Sequence, residues 1–193
     1  EPGMKRRIWL GIAAGVCLLA CAAWFLLSRS GHLLPSWISW ETAQLSCRPE
    51  AGEPDQIVLE RRTATVFHQG EAVWQSDREV RVQDVLWGDI DHDGAKELML
   101  LCWKRGRYGD SRPFWVTEDE TTWSQHIYLY DWTDGEIRPI WMASDIGMDA
   151  VSWSFDETSR LVITDRSGTQ SAWDWLSWGL SSLGSPTSNV ETD

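Results

Sequence analysis

Positive charge is scarce in this chain: 17 Lys and Arg stand against 29 Asp and Glu. That balance excludes nucleic acid as a partner, because a phosphate backbone is repelled by a surplus of carboxylates. Catalytic signatures are also missing. His32, His68, His92 and His126 are scattered without zinc-site spacing, and no serine occupies a G-x-S-x-G turn, so nothing nominates a nucleophile. A carboxylate pair for glycoside hydrolysis is left open, since Asp and Glu are abundant and their separation is a three-dimensional property. Beyond residue 30 no stretch carries the period of an amphipathic helix. Cysteine is sparse, and only Cys47 and Cys102 follow residue 27; they can pair in an oxidising compartment or stay buried as thiols.

One long apolar run is present. Ile8 to Leu27 is 20 residues without a charge, about 30 Å of helix and enough to cross a bilayer core. Lys5, Arg6 and Arg7 precede it, whereas only Arg29 and His32 follow closely. The positive-inside rule then predicts a cytoplasmic stretch 1–7, a membrane segment 8–27, a linker 28–36 and an extracytoplasmic remainder. Trp9 and Trp24 lie near the two ends of the span, at interface depth. Glu1-Pro2-Gly3, ahead of Met4, reads as a cloning scar or upstream translation. Leu18-Leu19-Ala20-Cys21 is similar to a bacterial lipoprotein box, which would make Cys21 a lipidated first residue. Ala22 to Leu27 continues the apolar run where a lipoprotein has a polar tether, and this favours an uncleaved anchor. Setting aside Glu1, Lys5, Arg6 and Arg7 leaves 14 basic and 28 acidic residues outside. Such a domain avoids an anionic membrane or wall polymer unless cations bridge them.

The most informative stretch is Asp89-Ile90-Asp91-His92-Asp93-Gly94-Ala95-Lys96-Glu97. Four carboxylates in one loop repel each other by on the order of 1 kcal/mol per pair even in water, which a hard cation offsets. Calcium takes six to eight oxygens, and Asp at alternate positions before a turn glycine supplies them. An EF-hand needs its glutamate at position twelve, where Leu100 stands. Here the acid comes at position nine, between strand-like flanks Val82–Trp87 and Leu98–Trp103. Expected ligands are the side chains of Asp89, Asp91, Asp93 and Glu97 plus the carbonyl of Ala95, with Gly94 at positive φ.

This phrase, with Gly88 before it and Leu98 after it, resembles the calcium loop D-x-D-x-D-G-x-x-[DE] of FG-GAP or VCBS-type β-propeller repeats. The resemblance covers about a dozen residues and implies a structural calcium ion between two strands of a blade. Internal repetition points the same way. Val73-Trp74 recurs as Ile140-Trp141, 67 residues on, and Trp87 recurs as Trp153, 66 residues on. A degenerate third copy is expected from Trp37-Ile38-Ser39 to Leu59. Hairpins are predicted around His68–Glu71 and Thr133–Glu136, and a strand at Ser171–Trp175.

The fold class is therefore all-β: a partial or small propeller-like domain of two to three blade-like antiparallel sheets over 37–180, after one transmembrane helix and before a loose tail 181–193. A closed propeller has at least four blades, so closure would need a second copy or a partner over the open edge. Fifteen tryptophans each require burial or a stacking role. The insertion 104–125 gathers Arg105, Arg107, Tyr108, Arg112, Trp115 and Trp123, a basic and aromatic set able to grip an anionic glycan or an acidic partner strand. The functional expectation is a membrane-anchored interaction module, stabilised by calcium, that binds an envelope protein or a polysaccharide.

Overall fold

Nothing from Pro2 to Arg29 interrupts a helix, and the chain forms one there, α1. Its segment Trp9–Ser28 is long and apolar enough to cross a membrane, a property shared by anchors and signal sequences. The computed structural model describes residues 2–106, 114, 117–118, 121–143 and 146–185. Past α1 the regular elements of the described residues are strands, apart from one 3-10 turn at Pro49–Ala51.

Twelve strands form three four-stranded antiparallel sheets in chain order. The first holds β1 Ala43–Ser46, β2 Gln56–Glu60, β3 Thr63–His68 and β4 Glu71–Gln75. The second holds β5 Arg81–Gly88, β6 Glu97–Arg105, β7 Trp123–Thr133 and β8 Glu136–Met142. The third holds β9 Ala150–Phe155, β10 Leu161–Asp165, β11 Gln170–Leu176 and β12 Gly179–Gly184. Two boundaries differ from expectation. Ser181–Gly184, assigned to the tail, pairs with β11 because backbone ladder bonds do not require apolar side chains. Trp37–Ser39 is not a strand, and the first sheet begins at Ala43.

The sheets repeat one defect. Pairing between third and fourth strands jumps from Val66↔Trp74 to Phe67↔Ala72, from Leu129↔Trp141 to Tyr130↔Pro139, and from Ala172↔Gly184 to Trp173↔Ser182. Each jump leaves one extra residue on the edge strand, a β-bulge that twists the edge away from further pairing. The extra residues Val73, Ile140 and Leu183 are equivalent and all exposed. The tryptophan repeat now has a cause. Trp74 packs on Tyr130 of the next sheet at 4.9 Å and Trp141 on Trp175 of the next at 6.5 Å, whereas Gly184 takes their place in the sheet with no successor.

The middle sheet lies between the other two. From Glu97 to Trp103 strand β6 is buried throughout. Leu98, Leu100 and Cys102 join Ile57 and Leu59 of the first sheet, while Met99 and Leu101 join Leu161 and Ile163 of the third. Strand period two thus resolves one apolar run into two core faces. By register, Gln56 and Val58 occupy on the first sheet's outer face the positions of Leu98 and Leu100, and Val162 and Thr164 occupy on the third sheet those of Met99 and Leu101. Both outer faces are therefore more polar than the inner ones, as terminal units of a stacked array are.

Antiparallel order sends turns alternately to two ends of the stack. The turn at Arg61-Arg62, the end of β6 and the turn at Arg166 share the end where α1 arrives; there the Trp123 amide donates to the Gly31 carbonyl at 2.9 Å, and Arg105 donates to the His32 carbonyl at 2.8 Å. Loop 89–97 and the hairpins at His68–Glu71, Thr133–Glu136 and Leu176–Gly179 occupy the far end.

Candidate metal centre

Loop 89–97 joins β5 to β6, and its geometry follows from local chemistry. Gly94 turns the chain at φ +92°, and His92 also takes a positive φ of 63°. Gly88, just ahead, is required by packing: a Cβ there would meet the Phe155 ring of the third sheet at 2.3 Å. Side-chain oxygens collect the loop amides. Asp89 Oδ2 accepts from Gly94 N–H at 3.1 Å, Asp91 Oδ1 from Asp93 N–H at 3.2 Å, Asp93 Oδ1 from Ala95 N–H at 2.7 Å, and Glu97 Oε2 from Ile90 N–H at 2.9 Å.

Three of the expected ligands converge. Asp89, Asp91 and Glu97 each bring one oxygen to within 4.8 Å of the others, an arrangement that can hold a metal ion. The Asp93 carboxylate, facing its own loop amide, lies outside that triad. Asp89 Oδ1 is buried without a hydrogen-bond partner, which leaves a full carboxylate oxygen available. Burial pushes the Glu97 carboxyl up to about 8; the Ile90 amide pulls the other way, and the neighbouring aspartates add to the rise. Asp91 is raised for the same reasons, with Asp131 of β7 among its repelling neighbours. An all-oxygen set of crowded, part-desolvated carboxylates fits a hard cation, whose charge would offset both penalties.

The loop is tied to both flanking sheets. Lys96 Nζ lies 3.1 Å from Glu53 Oε1, beside the first sheet. Burial opposes ionisation of Glu53, but the Arg48 amide, the Trp87 indole and Lys96 outweigh it and hold the carboxyl down at about 2. His92 places Nε2 2.9 Å from Asp174 Oδ1 of β11. Sequence reasoning missed Glu53 and Asp174 because each lies dozens of residues from the loop; only Asp174, between Trp173 and Trp175, carries the local signal of an acid among apolar neighbours.

Of the insertion residues, Arg105 ends β6 and Trp123 starts β7, with the guanidinium 5.1 Å from the indole centroid. Arg107, Tyr108, Arg112 and Trp115 lie outside the described residues. A cleft of about 780 Å³ opens beside this pair, between the second and third sheets, lined by Trp103, Trp123, Gln125, Met148, Asp149 and Arg166. Cys47 and Cys102 are free thiols within the core between the first and second sheets; burial pushes Cys47 up to about 11 and Cys102 higher still. Cys21 is a free thiol exposed on α1. Compared with protein families, curated proteins and solved structures, the chain finds no match in any of the three.

Proposed function

We propose that this chain is a single-pass, membrane-anchored module whose extracytoplasmic β-domain is of the FG-GAP or VCBS type and carries a structural calcium ion. Asp89, Asp91 and Glu97 would hold the ion, with Asp93 and the Ala95 carbonyl completing its oxygen shell. The observation that carries the reading is the buried, partnerless Asp89 Oδ1 inside a triad of acids. In this reading the three sheets are blades of an open stack. The more polar outer faces, with Gln56 and Thr164 where inner faces carry Leu98 and Leu101, favour that over a ring closed by a second copy.

The ion's part is mechanical. A neutralised loop keeps Lys96 and His92 directed at Glu53 and Asp174, so metal binding would hold three sheets in one packing. The module binds an envelope protein or a polysaccharide, and the cleft between Trp103 and Trp123 is the proposed place. Extracellular calcium sites typically have Kd values of about 0.1 to 1 mM. Calcium at ten to a hundred times Kd then stabilises by about 1.4 to 2.7 kcal/mol. Thermal melting of the full chain in calcium and in chelator tests the site: wild type shifts, and an equal shift in Asp91→Asn and Glu97→Gln rejects these ligands. Pull-down from native membranes, with mass spectrometry, separates a protein partner from a glycan.

A further inference from the structure

Although the chain is acidic as a whole, the arginines of its β-domain are concentrated at one end of the stack. Arg61, Arg62, Arg78, Arg81, Arg105 and Arg166 all lie at the end where α1 arrives, and all but Arg81 are exposed. Glu41, Glu60, Asp77, Glu79, Asp149 and Asp165 share that end; Glu60 lies 3.7 Å from Arg61, Asp77 accepts from the Glu79 amide, and Asp165 accepts from Ser167 and Thr169, while Glu79 and Asp149 are exposed. The far end carries Glu71, Asp91, Asp134, Glu136, Asp156 and Glu157 among others, with few cations.

Three of those arginines lie over tryptophan faces. Arg62 stands 4.2 Å from Trp40, Arg105 5.1 Å from Trp123 and Arg166 5.6 Å from Trp37. Stacking fixes each guanidinium plane; the N–H forks of Arg62 and Arg166 stay open to an anion, while Arg105 gives one Nη2 hydrogen to the His32 carbonyl and keeps the others. Phosphate oxygens match such a fork bidentately. Indole rings, for their part, settle at the level of lipid headgroups.

Position supplies the partner. A hollow of about 530 Å³ is lined jointly by Trp24 and Ser28 of the helix end, Leu33, Leu34 and Trp37 of the linker, and Arg166 of the third sheet. The linker hydrogen bonds at Gly31 and His32 hold that end against the helix exit. Any bilayer crossed by Trp9–Ser28 would therefore present its headgroups to these arginines.

We propose that the helix-side end of the β-domain docks on the anionic phospholipid headgroups of the membrane in which α1 is anchored, through Arg62, Arg105 and Arg166 on their tryptophans. The acidic end, with the metal loop, then points away from the lipid. This rests on the anchored reading above. Attraction of this kind acts within about one Debye length, roughly 8 Å at physiological salt, and weakens as salt rises.

Full-length protein is assembled in nanodiscs of phosphatidylcholine alone and of equimolar phosphatidylcholine and phosphatidylglycerol, and amide hydrogen exchange is compared. Docking slows exchange of the turns at 60–63 and 165–168 several-fold in the anionic discs, leaves 68–71 and 133–136 unchanged, and fades at high salt. The double variant Arg62→Gln, Arg166→Gln loses that slowing, with the far turns showing that its fold persists. Equal exchange in the two lipids, or slowing shared by the far turns, overturns the docking. Failure to co-purify with either disc removes the anchor itself, and the docking with it.

Discussion

Gln125 grips Ala150 by both faces of its peptide edge: its Nε2 donates to the Ala150 carbonyl at 2.8 Å and its Oε1 accepts the Ala150 N–H at 2.8 Å. A side-chain amide thus imitates one rung of a β-ladder between the second and third sheets. Gln83 completes the group, accepting from Gln125 Nε2 and from Trp103 Nε1, each at 2.8 Å. All four residues are buried.

Substituting Gln125 by Leu is expected to lower stability by about 1 to 3 kcal/mol, since the buried Ala150 N–H would lose its acceptor and the Ala150 carbonyl would keep only the longer bond from Gln83 Nε2 at 3.3 Å. Urea denaturation measures the change. A loss below about 1 kcal/mol would mean that water replaces the amide.

Gly88→Ala sets a methyl against Phe155, a contact of 2.3 Å. The expected cost is about 2 kcal/mol from overpacking. Adding Phe155→Leu, which clears the far part of the ring, should recover a measurable fraction of the melting temperature, and a strictly additive double variant would contradict the contact.

Glu53 supplies a pH dependence. Its folded carboxyl is held at about 2, below its ordinary value of 4.5. A depressed carboxyl contributes stability above pH 4.5, lost as pH falls toward 2. Glu53→Gln should flatten the stability profile in that window. Unchanged acid sensitivity in the variant would show that other carboxylates control it.

Cys47 and Cys102 are expected to resist alkylation at pH 8 in the folded domain, because burial raises both thiols well above that pH. Both should react once the protein is denatured without reductant. A disulfide between them would instead leave both silent until reduction.

The acidic loop was legible because its carboxylates and turn glycine fall within nine consecutive residues, so spacing alone brings them together. Its supports were not. His92 and Asp174 are 82 residues apart, and Gln125 and Ala150 are 25 apart; such pairs form only once sheet order and register are set. The repeat of Trp74 and Trp141 was visible, but its purpose, an indole laid on the next sheet, required both sheets.

By itself the chain determined α1, the acidic loop and the predominance of strands, since apolar run length, ligand spacing and turn residues act over neighbouring positions. Tertiary structure decided that β6 has two buried faces, that the outer sheets end in more polar surfaces, and that six arginines gather at the end where α1 arrives. Those outcomes depend on which strand ends meet in space, and composition averages over that arrangement.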